Sequence, residues 1–304
     1  MMRVFLTGAT GYIGSAVLDA LLRAGQRVTA LVRDPEKAAR LSARGATTVI
    51  GEIGTPSSYQ AALDGADAVI HTAFEASARG VDKDREAIDT LIGSLSARHA
   101  PTPPVFIYTS GIWVLGMTTR PADESTPLDP AAHVAWRPGH EQRVLDAGTN
   151  GLRTIVIRPG IVYGGSRGIV SDLLKDALNG LVRVIGPGKN RWPTVYDRDL
   201  GELYARLLET PDARGVFHAN DEGDERVNDI VEAIGDHMTQ RPDVRHMPMP
   251  EARRKLGTYA DALALDQRVR SPRARALGWS PALSSITANI PRLFEEFRGG
   301  RRQS

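Results

Sequence analysis

Residues 7–14, Thr-Gly-Ala-Thr-Gly-Tyr-Ile-Gly, follow directly on the apolar run Val4-Phe5-Leu6 and restrict the fold more than any other stretch. Gly8, Gly11 and Gly14 are spaced G-x-x-G-x-x-G. Apolar residues at helical spacing come next (Ile13, Val17, Leu18, Leu21, Leu22), closed by Gly25. A second apolar run, 27–32, completes a strand–helix–strand unit, the context this glycine pattern needs to mean a ligand site rather than a bare turn. Glycines let the chain turn sharply there and let a pyrophosphate lie against backbone N–H groups at the positive end of a helix. The segment therefore predicts a dinucleotide site.

The end of the second strand bears on which dinucleotide. An acidic residue about 20 positions beyond the glycines binds a ribose 2′-hydroxyl, whereas an arginine there suits a 2′-phosphate. The strand ends Leu31-Val32-Arg33-Asp34. Arg33 favours NADP(H) over NAD(H). Asp34 is the rival: it either binds the ribose or caps a helix starting at Pro35.

Strand-like runs (3–6, 27–32, 47–50, 68–71, 105–108 and 154–157) alternate with helical patterns (35–44, 57–63, 82–98 and 141–147). Apolar strands alternating with helices predict a parallel sheet covered on both faces, with right-handed crossovers. Past residue 160 the pattern loses its regularity. Glycine and proline cluster in 160–168 and 186–193, and helical stretches follow at 197–208, 227–238 and 283–297. The expectation is a dinucleotide-binding core over 1–160 and, over 161–304, mainly a smaller substrate lobe with some segments returning to the core.

With 304 residues, 41% hydrophobic and 24% charged, the chain is long enough for a core and a second lobe. A net charge of +2 gives no electrostatic case for nucleic acid. The basic cluster Arg298, Arg301 and Arg302 reads as a frayed tail. The absence of cysteine removes disulfides, thiol nucleophiles and thiolate metal sites. The seven histidines (71, 99, 133, 140, 218, 237 and 246) show no metal-binding spacing, so no metal is expected. No apolar run reaches 18 residues and no leader precedes the first strand, so a cytoplasmic protein without a membrane span is expected.

Four further segments, in order, point to a family: Val69-Ile70-His71-Thr72-Ala73, Phe106-Ile107-Tyr108-Thr109-Ser110-Gly111, Ile157-Arg158-Pro159-Gly160-Ile161-Val162-Tyr163-Gly164 and Val195-Tyr196-Asp197-Arg198-Asp199-Leu200. Together with Arg273-Ala274-Arg275-Ala276-Leu277-Gly278-Trp279-Ser280-Pro281, they resemble the extended short-chain dehydrogenase/reductases, the NAD-dependent epimerase/dehydratase family. The resemblance implies a Rossmann-type α/β fold: a doubly wound parallel sheet with a small C-terminal substrate lobe. It also implies that Gly8, Thr10, Gly11, Tyr12 and Ile13 line the pyrophosphate and that Glu52 and Ile53 stand beside the adenine. Thr72 and Ala73 would pass the ribose, Pro159, Gly160 and Ile161 would flank the nicotinamide, and Ser110 matches the catalytic serine. His71 matches a common family residue and reads as a packing histidine. The family often dimerises through the helices expected at 82–98 and 138–148, so a homodimer is a further expectation.

The chain is an atypical member, because no Tyr-x-x-x-Lys occurs in it. With Glu141 and Gln142 as anchor, the tyrosine position falls on His133 and the lysine position on Arg137. The spacing of four allows one helical face. Imidazole can act as acid or base, whereas guanidinium binds ribose without releasing a proton. Pro138 opposes a helix running through Arg137 and suits a helix start, which would leave His133 in a loop and make His140 a second candidate. Trp113, Tyr163 and Trp192 are candidate substrate-facing aromatics, with packing as the alternative. The expected activity is NADP(H)-dependent oxidoreduction of a small carbonyl compound or alcohol. A nucleotide-sugar epimerase or dehydratase and a non-catalytic NADP-binding sensor or scaffold are the alternatives.

Overall fold

The computed structural model describes residues 1–98 and 102–301, so His99 and Arg302 lie outside it. The chain divides into two compact units. Unit 1 comprises Met1–Ser110, Trp136–Arg158 and Leu200–Phe217. Unit 2 comprises Gly111–Ala135, Pro159–Asp199 and 218–301. The chain passes between the units at 110/111, 135/136, 158/159, 199/200 and 217/218.

Unit 1 is a Rossmann-like α/β fold. Its strands are β1 (Arg3–Thr7), β2 (Arg27–Val32), β3 (Thr47–Ile50), β4 (Ala68–His71), β5 (Val105–Thr109) and β6 (Arg153–Pro159). With Gly215–Ala219 they form a seven-stranded sheet ordered (215–219)–β6–β5–β4–β1–β2–β3. The β1–β2, β2–β3, β1–β4, β4–β5 and β5–β6 pairs are parallel. Strand order reverses between β1 and β4. At such a switch point the loops leaving the strand ends part and open a crevice for a ligand.

The helices of unit 1 include α1 (Tyr12–Arg23), α2 (Pro35–Ala43), α3 (Gln60–Leu63), α4 (Gly80–Ser96) and α5 (Arg137–Ala147). Alternate strand residues Phe5, Val69, Phe106 and Val156 pack with Leu63, Ile88, Leu91 and Val144 of α3, α4 and α5. Apolar side chains on both faces explain the unbroken hydrophobic runs of the central strands. β6 extends beyond 154–157 because both flanking arginines are satisfied in the interior. Arg153 donates to the Leu207, Leu208 and Thr210 carbonyls, and Arg158 makes a forked pair with Glu141.

Unit 2 carries its own apolar core, which includes Val170, Leu174, Val182, Trp192, Ile230, Ile234 and Phe294. The C-terminal helix is shorter than the sequence pattern suggests, running over Ile290–Arg301 instead of starting at Leu283. The amides of Ile286 and Thr287 are instead held by the Glu225 carboxylate at 2.7 and 3.0 Å. Pro291 then sits in the first turn, where its missing N–H costs nothing.

Candidate active site

At the switch point, β1 runs into the glycine turn and the turn into α1. The Gly11 amide closes the turn on the Gly8 carbonyl at 2.8 Å. Gly8 has φ +78°, and a Cβ on it would lie 2.7 Å from the Ala73 amide nitrogen. A Cβ on Gly14 would lie 2.1 Å from the Gly8 carbonyl oxygen. Only hydrogen fits at either position, so α1 begins close against the end of β1.

Beside this turn lies a cavity of about 380 Å³ within unit 1. Gly8, Thr10, Gly11, Tyr12, Ile13, Arg33, Ile53, Thr72 and Ala73 all line it, as do Phe74 and Glu75. Gly14 is not on its wall but packs beneath it against Gly8. Glu52 also stands off the wall, with the Lys83 ammonium 3.4 Å from its carboxylate and 2.9 Å from that of Glu75. The Lys83 hydrogen bond holds the Glu75 carboxyl below its ordinary range, and the Arg33 charge adds a smaller pull in the same direction.

The side chains of Arg33 and Asp34 have separate tasks. One Asp34 carboxylate oxygen accepts from the Glu36 and Lys37 amides at 2.8 and 3.3 Å and caps α2. The exposed Arg33 lines the cavity and makes no hydrogen bond or ion pair among the described residues.

At the end of β5, the Ser110 amide donates to Ile157 O at 2.8 Å. Ser110 is buried, yet its hydroxyl has no hydrogen-bond partner among the described residues. Arg137, the first residue of α5, donates from Nη1 to Thr109 O at 3.1 Å. Its guanidinium lies 4.5 Å from the Trp136 ring centroid and 5.7 Å from that of Phe74, and the two rings stack at 5.1 Å. Arg137 is thus pinned beside the serine by one hydrogen bond and two aromatic faces.

His133 is not on the helix of Arg137. It occupies the separate turn Ala132–Val134 in unit 2. It is exposed, with Nδ1 3.2 Å from Thr258 Oγ1 and its ring against Trp113 and Tyr259. Pro138 falls in the first turn of α5, where proline is tolerated, and the helix starts one residue before it.

His140 is buried, with Nδ1 2.7 Å from Asp84 Oδ2. The other Asp84 oxygen lies 3.1 Å from His71 Nε2, and His71 Nδ1 lies 2.6 Å from Thr7 Oγ1. Tyr108 donates its hydroxyl to Asp84 at 2.8 Å. Burial by itself would raise the Asp84 carboxyl. The donors from His140, His71 and Tyr108 outweigh that and hold it well below the usual carboxylate range. The sequence pattern gave no signal for Asp84, whose partners stand on β4, β5 and α5 with no common spacing.

The remaining candidates fall in unit 2. Gly160 and Ile161 donate to Ala219 O and Pro193 O, and Pro159 opens the same segment. Tyr163 is fully buried with its hydroxyl 3.3 Å from Leu283 O, a packing position. Trp113 is partly buried against His133 and Tyr259. Trp192 lines a second cavity, inside unit 2. No cluster of three or more potential metal ligands occurs among the described residues. No helix among them is long and apolar enough to cross a membrane.

Residues 4–219 match the NAD dependent epimerase/dehydratase family. The chain belongs to that family. It is 30% identical over 297 residues to the uncharacterized protein C2A9.02 of Schizosaccharomyces pombe, covering 95% of this chain and 98% of that one. It is 29% identical to a 2-alkyl-3-oxoalkanoate reductase of Stenotrophomonas maltophilia, covering 77% and 76% respectively. Its fold is similar to that of the human epimerase family protein SDR39U1 solved with NADPH (TM-score 0.78, 22% identity, 97% and 99% covered). Family and relatives make this an oxidoreductase-type protein with a nicotinamide dinucleotide cofactor. The cleft fits that group: the turn has no room for a Cβ at Gly8 or Gly14, so the backbone at the start of α1 lines the cavity without a side chain at either glycine.

Proposed function

We propose that this protein is an NADP(H)-dependent oxidoreductase acting on a carbonyl compound or the corresponding alcohol. The observation that carries the reading is the buried Ser110 hydroxyl, which has no hydrogen-bond partner among the described residues and stands one residue from the carbonyl that anchors Arg137. A buried hydroxyl left unpaired is costly unless a ligand oxygen takes its hydrogen bond. Ser110 would donate to the substrate oxygen as negative charge develops there. Arg137, fixed against Trp136 and Phe74, adds positive charge and hydrogen bonds for the cofactor ribose but releases no proton. The proton that reaches the product oxygen comes from His133 or from water. When bound, the dinucleotide supplies the hydride.

The preference for NADP(H) rests on the separation of Arg33 from Asp34. Because Asp34 is engaged as a helix cap, Arg33 is the group at the strand end able to meet a ligand phosphate.

Following NADPH absorbance against a panel of aldehydes and ketones tests the activity. Ser110→Ala should lower kcat by roughly 100-fold or more, the usual loss of one preorganised donor to a developing oxyanion. Full activity in that variant, or no turnover of any carbonyl by the wild type, overturns the reading.

A further inference from the structure

The wall of the unit 1 cavity carries two charged side chains of opposite sign, Arg33 just after β2 and Glu75 in the segment after β4. Arg33 makes no ion pair among the described residues. Glu75 is engaged elsewhere: the Lys83 ammonium of α4 donates to both of its carboxylate oxygens, at 2.9 and 3.1 Å. Lys83 also lies 3.4 Å from the Glu52 carboxylate. One positive charge thus serves two carboxylates, and Glu75 is left incompletely neutralised. The Arg33 charge reaches Glu75 as well, adding to the pull of Lys83 on its carboxyl. The backbone that carries Glu75 is fixed. The Ser77 amide donates to the Glu75 carbonyl at 2.9 Å, and a Cβ on Gly80 would lie 1.9 Å from that oxygen. The Lys83 alkyl chain packs on Gly54, where a Cβ would lie 3.4 Å from its Cδ and Cε.

NADP and NAD differ in one group, the 2′-phosphate, and such a monoester brings roughly 1.5–2 negative charges at neutral pH. Arg33 attracts that charge and Glu75 repels it. The ribose hydroxyl that takes its place in NAD is uncharged and can donate to a carboxylate. We propose that Glu75 is a second determinant of cofactor choice: it opposes the 2′-phosphate that Arg33 attracts, and Lys83 limits that opposition by neutralising part of its charge. The preference between NADP(H) and NAD(H) is then a balance of two wall charges of opposite sign. The inference rests on the reading that the dinucleotide brings its 2′-position to this wall, but binding alone tests it, without turnover.

The test is calorimetric titration of the full chain at low salt with NADP and NAD, and with the fragments 2′,5′-ADP and 5′-AMP, which differ in the 2′-phosphate alone. Glu75→Gln keeps the length of the side chain and an oxygen for Lys83. It should tighten NADP and 2′,5′-ADP by about three- to tenfold, the effect of removing one partly screened charge from a phosphate site, and change NAD and 5′-AMP by less than about twofold. Lys83→Met keeps the alkyl packing on Gly54 and leaves Glu75 without its countercharge. It should act in the opposite direction, weakening NADP and 2′,5′-ADP by about three- to tenfold. Both changes should shrink in about 0.5 M salt. A variant that merely disturbs the fold weakens every ligand, so a selective gain in Glu75→Gln separates the charge from a structural role.

NADP binding that is unchanged or weaker in Glu75→Gln, an equal gain for NAD, or a gain undiminished by salt overturns the inference. NADP binding that is unchanged or tighter in Lys83→Met overturns the part assigned to Lys83. If Arg33→Ala weakens NADP while Glu75→Gln changes nothing, the inference fails and the assignment of Arg33 to the phosphate stands. If Glu75→Gln tightens NADP while Arg33→Ala leaves it unchanged, the assignment of Arg33 fails and Glu75 is upheld.

Discussion

Replacing Asp84 with alanine should destabilise unit 1 more than most single substitutions. One carboxylate, in a residue that is 5% exposed, has His140, Tyr108 and His71 at 2.7, 2.8 and 3.1 Å. Removing it leaves three interior donors without an acceptor. Each such group costs about 1–3 kcal/mol. The three share one partner, so the losses are not additive, and breaking a buried ionic cluster by deleting one member costs about 3–5 kcal/mol. At about 2–4 °C per kcal/mol, the melting midpoint should fall by about 6–20 °C. Differential scanning calorimetry at pH 7 measures it, with Asp89→Asn as control. Asp89 pairs with Arg143 at 3.2 Å on the surface, and such exposed pairs contribute about 0–1 kcal/mol.

The pH dependence provides a second check. The Asp84 carboxyl is held below its unfolded value, so its contribution is complete above about pH 4 and is lost as pH falls toward the folded value. The gap between wild type and Asp84→Asn should close in acid as the carboxylate takes up its proton. A midpoint within 2 °C of wild type for Asp84→Ala, or a gap that does not close in acid, would refute the network as the source of this stability.

Arg33→Ala should raise the NADP dissociation constant by roughly 10- to 150-fold, from about 1.5–3 kcal/mol per charge-assisted bond, and leave NAD nearly unchanged in calorimetry. A wild type that already prefers NAD refutes the assignment of Arg33 to the phosphate. His133→Gln separates the two proton sources. A loss of turnover of roughly 100-fold assigns the proton to the imidazole, whereas unchanged turnover assigns it to water. In unit 2, burial pushes the Asp221 carboxyl up to about 6 despite bonds from Gly223 and Thr194. Its unfolded counterpart ionises near 3.9, so stability falls between about pH 4 and 6 by up to about 3 kcal/mol. Asp221→Asn should flatten that slope in melts run across this range, and an unchanged slope would show that the carboxylate is not its source.

The sequence reveals what neighbouring residues build and hides what distant ones assemble. β1, β4 and β5 were readable within a residue because they are buried on both faces, which leaves runs such as Val4-Phe5-Leu6 and Val69-Ile70. In the seventh strand, Gly215–Ala219, the run Val216-Phe217 is cut short by Gly215 on one side and His218 on the other. The glycine turn was readable because its contacts, Gly8 to Gly11 and Gly8 to Gly14, lie within one local segment.

Asp34 shows the limit of that locality. Spacing alone left ribose binding and helix capping open, and the carboxylate's position 2.8 Å from the Glu36 amide shows that it caps α2. Other features depend on groups brought together from far along the chain. Asp84 gathers His71, Tyr108 and His140, Glu225 fixes the amides before the last helix, and the unit 2 cavity joins Leu173 to Leu263. The four-residue spacing of His133 and Arg137 suggested a shared helix, yet the chain passes into another unit between them. Spacing is evidence about a site only as far as one element continues. The glycine turn, built within a single segment, was therefore legible, while the Asp84 cluster and the unit 2 cavity had to be found in three dimensions.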